Sequence, residues 1–123
     1  MTVLIVDDSS VFRDRLRRML TPCSGIEIAA ETADAVTALA NIERLRPDAV
    51  LLDLHMPGTD GFGVLRELKA RGEHTPVIVL TSDAAAGVRE RCSALGAHAV
   101  IDKQDAAECV PSALRQLAGS GAL

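Results

Sequence analysis

The sequence predicts a doubly wound α/β domain with a parallel sheet, on three observations. Five short apolar runs rich in Val, Ile and Leu alternate with segments whose apolar residues recur three or four apart. The runs lack strict polar alternation, as expected of strands buried on both faces. Finally, 123 residues allow one core, and parallel neighbours in such a core require right-handed crossovers through helices.

The strand candidates are Thr2–Val6, Glu27–Ala30, Ala49–Leu52, Val77–Leu80 and His98–Ile101. Between them the helical faces read Leu16, Met19 and Leu20 in the first segment and Val36, Leu39 and Ala40 in the second. Phe62, Leu65 and Leu68 mark the third, and Val88, Cys92 and Leu95 the fourth. Ser9 or Ser10 can cap the first helix and Asp34 the second, while Gly96 stands where a left-handed stop is wanted. In the last segment Asp105-Ala106-Ala107-Glu108 resembles a capping box, but Pro111 opposes a helix already under way. The expectation is therefore a turn followed by a helix from about Pro111. The folded domain is expected over residues 1–118, with 119–123 a flexible tail of linker composition.

Composition excludes several classes of function. Hydrophobic residues at 48% and charged residues at 24% are globular values, and no apolar run is long enough to cross a bilayer. Thirteen basic against seventeen acidic side chains, with no basic run interleaved with aromatics, disfavour direct nucleic-acid binding. The start reads without a secretory leader, and Cys23, Cys92 and Cys109 form no C-x-x-C. A cytoplasmic protein with reduced thiols is the expectation.

Doubly wound sheets bind ligands beyond the carboxyl ends of their strands. There the sequence places Asp7-Asp8, Asp53, Thr81 and Lys103, after the first, third, fourth and fifth strands. Each is ordinary alone: an acidic pair starts helices, a threonine caps them and a lysine is surface charge. Together they form a corner in which three carboxylates repel and one ammonium only partly compensates, which suits a divalent ion such as Mg²⁺. A carboxylate attacking a phosphoryl donor needs such cations, because two anions must approach. Asp53, apart from the acidic pair at the end of a central strand, is the best nucleophile. Asp8 would ligate Mg²⁺ directly and Asp7 more loosely; Lys103 and Thr81 would hold phosphoryl oxygens.

The segments Val6-Asp7-Asp8-Ser9, Leu52-Asp53-Leu54-His55-Met56-Pro57-Gly58-Thr59-Asp60-Gly61, Leu80-Thr81-Ser82 and Gly96-Ala97 with Lys103 strongly resemble the receiver domains of two-component response regulators. The resemblance implies a flavodoxin-like (βα)5 fold with strand order 2-1-3-4-5. It also implies Asp53 as phospho-acceptor, Mg²⁺ held by Asp7, Asp8, Asp53 and the His55 backbone carbonyl, and Thr81 and Lys103 reading the phosphoryl group. The donor it implies is a phosphohistidine on a sensor histidine kinase or histidine phosphotransferase. The domain would catalyse its own phosphorylation and dephosphorylation and then switch a downstream protein partner.

Gln104 and Val100 depart from the pattern, standing where the family has a proline and a switch Tyr or Phe. His55 and Asp83 occupy positions that tune dephosphorylation in the family. The basic residues Arg13, Arg15, Arg17 and Arg18 read as the wet face of the first helix and a candidate docking surface. Competing readings are an aspartate-nucleophile phosphohydrolase of the haloacid-dehalogenase kind and a pseudo-receiver that only binds partners. The first places D-x-D after its first strand, whereas the pair here is adjacent. A nucleotide-binding module lacks its glycine-rich loop.

Overall fold

A computed structural model describes residues 1–56 and 60–121. Strands β1 (Thr2–Val6), β2 (Glu27–Thr32), β3 (Ala49–Asp53), β4 (Val77–Thr81) and β5 (Ala99–Asp102) form one parallel sheet in the order β2-β1-β3-β4-β5. They alternate with α1 (Ser10–Leu20), α2 (Ala35–Leu45), α3 (Gly61–Ala70), α4 (Ala86–Ala94) and α5 (Ala106–Gly121), the last preceded by a 3₁₀ turn, Lys103–Asp105. The expected flavodoxin-like fold and strand order are those observed.

Two cores sandwich the sheet. On one face Val3, Ile5, Leu51, Ile78 and Leu80 pack against Phe12, Leu16 and Leu20 of α1 and Ala106, Val110 and Leu114 of α5. On the other, Leu4, Val6, Val50, Leu52 and Val79 meet Ala38 and Ile42 of α2, Phe62, Leu65 and Leu68 of α3, and Cys92 of α4. Every residue of β3 and β4 is buried, as their continuous apolar runs require.

The edge strand β2 departs from that expectation. Its burial alternates, and it continues two residues further than its apolar stretch because Glu31 and Thr32 still pair with Ile5 and Val6. The register slips at Val3/Leu4, so Ala29 is left without a partner residue in the pairing with β1.

Capping follows the sequence. Ser9 accepts from the Phe12 N–H and Asp34 from the Thr37 N–H, the latter bond holding the Asp34 carboxyl below its ordinary range. Gly96, at φ +92°, stops α4.

Two helix expectations are corrected. In α2 the buried stripe is Ala35, Ala38, Asn41 and Ile42, whereas Val36 is 77% exposed and Ala40 lies on the outside. The three-residue pattern Val36, Leu39, Ala40 is one step out of phase, and the small alanines let the helix lie close to the sheet. In α5, Pro111 sits inside a helix already begun at Ala106. The stripe Ala106, Val110, Leu114 runs through the proline, anchoring both sides, and the carbonyl that loses its partner belongs to exposed Ala107, where water can reach it. The helix extends to Gly121, through residues 119–121 of the expected tail; residues 122–123 lie outside the described residues. Among the described residues no helix is long and apolar enough to cross a membrane.

Candidate acidic site at the carboxyl edge of the sheet

Four loops at the carboxyl ends of the strands converge. β1 delivers Asp7 and Asp8 and β3 delivers Asp53, and their carboxylate oxygens lie within 4.8 Å of one another. Asp7 and Asp53 are buried and Asp8 is exposed. Lys103, reached at the end of β5, places Nζ 2.9 Å from Asp7 Oδ2 and 3.5 Å from Asp53 Oδ1. The ammonium also lies 4.4 Å from the centre of the Phe12 ring, so a core residue of α1 that the sequence reading did not single out forms one wall of its seat.

Hydrogen bonds fix the acids unequally. Asp7 Oδ1 accepts the Ser9 N–H at 2.8 Å while Oδ2 faces Lys103. Asp53 Oδ1 accepts the His55 N–H at 3.2 Å. Among the described residues the Asp8 carboxylate has no hydrogen bond, so it is free to turn towards an added cation. Burial is the main cause pushing the Asp53 carboxyl up to about 6; the His55 N–H and Lys103 pull it down, while the charge on Asp7 adds to the rise. Three carboxylates thus share this corner with the single ammonium of Lys103.

Thr81 ends β4, one residue beyond Leu80, the partner of Asp53 across the ladder, and itself pairs with Asp102 of β5. It is fully buried and its hydroxyl oxygen accepts the Asp83 N–H at 3.1 Å. That bond closes a turn and does not cap α4, whose N-terminus at Ala85 has no side-chain cap. Leading into α3, Asp60 caps the helix through the Gly63 N–H, and the Gly61 N–H donates to the Leu54 carbonyl at 2.9 Å. A Cβ on Gly61 would meet the Asp53 carbonyl oxygen at 2.6 Å and Leu54 Cα at 2.8 Å, so only glycine lets α3 start this close to β3. Pro57, Gly58 and Thr59 of the same motif lie outside the described residues.

At the two departures from the family pattern the backbone is engaged. The Gln104 N–H donates to Asp102 Oδ1 at 3.0 Å, a bond a proline could not make. The Val100 carbonyl accepts from Arg89 Nη1 at 2.6 Å, and Arg89 Nε donates to the Ala84 carbonyl at 2.9 Å, linking the β4–α4 loop to β5.

The basic face of α1 is not uniformly wet. Arg17 and Arg18 pair with Asp14, and Arg17 also reaches Glu31. Arg13 turns inward, donating from Nη1 to the Asp7 backbone carbonyl at 2.5 Å with Nε 3.7 Å from Glu31. Its position four residues after Ser9 puts it on the turn above the acidic pair, a signal that helical spacing offers once the pair is known to matter.

Geometry of this kind defines a class: a doubly wound sheet with an acidic corner at its winding reversal. The chain belongs to the response regulator receiver domain family, whose model matches residues 3–115. Protein-glutamate methylesterase/protein-glutamine glutaminase 2 of Anaeromyxobacter dehalogenans is 38% identical over 95% of this chain. Fimbriae Z protein of Salmonella typhimurium is 32% identical over 84% of it. The chain spans 36% and 49% of those two relatives. Among solved structures, the non-phosphorylated receiver domain of the stress response regulator RcsB from Escherichia coli superposes with a TM-score of 0.90 at 25% identity, over 98% of this chain and 94% of that one. The response regulator domain of Thermotoga maritima CheB gives 0.84 at 21% identity, over 100% and 97%, and shares the fold.

Proposed function

We propose that this receiver domain is a phosphorylation switch in which Asp53 accepts a phosphoryl group with Mg²⁺ in the adjoining acidic corner. The observation that carries the reading is the Asp7, Asp8 and Asp53 cluster, with carboxylate oxygens within 4.8 Å and one lysine beside it. A hard divalent cation fits this donor set: oxygen ligands only, excess negative charge, and one exposed carboxylate able to turn. Asp7, Asp8, Asp53 and the His55 carbonyl would hold it, and bound Mg²⁺ would neutralise charge on the incoming phosphoryl group.

The protein's own residues do the rest. The Asp53 carboxylate attacks phosphorus while the His55 N–H keeps its Oδ1 oriented, and the bond to the donor's histidine nitrogen breaks as the P–O bond forms. Lys103 exchanges its contact with Asp53 for a phosphoryl oxygen, remaining paired to Asp7. Thr81 turns its hydroxyl to another phosphoryl oxygen, giving up the Asp83 N–H. A sensor histidine kinase or histidine phosphotransferase supplies the phosphoryl group in the cytoplasm, and a downstream protein reads the altered surface.

Beryllofluoride titrated into the chain with and without Mg²⁺, followed by calorimetry, tests this. Binding is expected only with the metal, and Asp53→Ala is expected to abolish it together with phosphate incorporation from acetyl phosphate. Stoichiometric phosphate retained by Asp53→Ala would overturn the assignment.

A further inference from the structure

Arg13 has no role in the chemistry above, yet it holds the residue on which the acidic corner is built. Every hydrogen-bonding atom of Asp7 is engaged. Its N–H donates to the Thr32 carbonyl at 3.0 Å, its carboxylate takes the Ser9 N–H and Lys103, and its carbonyl takes the Arg13 guanidinium at 2.5 Å. The carbonyl bond differs from the others because it fixes the peptide plane joining Asp7 to Asp8. Rotation of that plane changes ψ of Asp7 and φ of Asp8 and swings the Asp8 carboxylate, which nothing else among the described residues restrains.

Arg13 is itself held. Its backbone N–H donates to the Ser9 carbonyl in the first turn of α1, and its Nε lies 3.7 Å from Glu31 on β2. Both side chains are largely covered, at 20% and 27% exposure. Glu31 offsets the guanidinium charge beside a site that must attract a cation, so Arg13 can act there as a donor with its charge balanced. A planar guanidinium serves the carbonyl and Glu31 together, which a lysine ammonium does less well.

We infer that Arg13 is a positioning residue for the metal-binding half of the site: by clamping the Asp7 carbonyl it fixes the backbone from which the Asp8 carboxylate turns to Mg²⁺ and leaves the acceptor Asp53 untouched. This rests on the proposed phosphorylation chemistry and goes beyond it by separating metal affinity from phosphoryl transfer within one corner. Groups that orient metal ligands from behind typically change affinity by about tenfold or more when removed.

The test is phosphorylation of the full chain by acetyl phosphate across a Mg²⁺ series, alongside direct calorimetric Mg²⁺ titration. Arg13→Ala is expected to raise the half-saturating Mg²⁺ concentration about tenfold, with the rate at saturating Mg²⁺ within about twofold of wild type. Arg13→Lys should fall between them and serves as the test if the alanine variant does not fold. Arg18→Ala, on the same helix but paired, among the described residues, with Asp14 alone, should match wild type. An unchanged Mg²⁺ requirement in both Arg13 variants, or a lowered saturating rate with no shift in Mg²⁺ requirement, overturns the inference. Wild-type protein that neither binds Mg²⁺ nor accepts phosphate overturns the underlying reading instead, a result visible before any variant is made.

Discussion

The centre of the sheet and its α4–β5 flank are built differently. In β1, β3 and β4 nearly every side chain is buried between two helical layers, and Asp53, the acidic pair and Thr81 stand at the ends of these strands. In the flank, α4 buries only Cys92 and lacks a side-chain cap, and β5 is buried fully at Ile101 alone. Cationic side chains fasten it instead: Lys69 on the Ala94 carbonyl, Arg89 on those of Ala84 and Val100, and Arg91 over the Phe62 ring at 3.9 Å. Burial of apolar area makes a rigid platform, whereas a few exposed hydrogen bonds make a region that opens at small cost. The acidic corner at the strand ends sits on the first, and the α4–β5 flank is the less firmly held part.

The largest expected effect breaks the centre. Leu52→Ala, fully buried one residue before Asp53, should cost about 2–5 kcal/mol in urea unfolding. A loss below about 1 kcal/mol would show that β3 is not the platform described.

A smaller effect, of opposite sign, sharpens the view that the site is stabilised less than its surroundings. Asp53 has its carboxyl raised from 3.8 to about 6, so the folded state holds this proton more tightly than the unfolded chain. That contribution is present at low pH and is lost as pH rises from about 4 to about 6, leaving the full cost of a buried ionised acid at neutrality. Asp53→Asn should therefore gain about 1–2 kcal/mol at about pH 7.5 and flatten the fall across that window. Equal stability of the two proteins at neutral pH, with parallel pH profiles, would contradict it.

The smallest global effect falls in the flank. Arg89→Ala removes two exposed hydrogen bonds and should lower overall stability by about 1 kcal/mol or less. Amide exchange at Ser82 to Ala85 should nevertheless quicken by about tenfold, while β3 amides keep their protection. Uniform exchange across both regions would erase the distinction drawn between them.

The legible parts of the sequence were those where one local pattern has one structural solution. Strands β1, β3 and β4 read correctly because continuous apolar runs suit only two-sided burial, and the Asp34 and Ser9 caps because they act over three residues. The site was legible because its members follow strand ends, where a parallel sheet must gather them.

Other features depended on what packs where. Val36 was read inward and points out, because sheet contact selects the alanine stripe of α2, a choice between two apolar faces that periodicity alone leaves open. Pro111 was read as a helix start, but burial of Ala106 and Val110 outweighs one lost hydrogen bond at exposed Ala107. Arg13 read as surface charge until tertiary folding brought β2 beside α1 and placed Glu31 under it. By itself the sequence determined the fold class, the strand order expected of its family and the five polar groups at the strand ends. Only the tertiary structure decided which side chains hold those groups in position, since hydrogen bonds between segments distant in sequence leave no periodic trace in the chain.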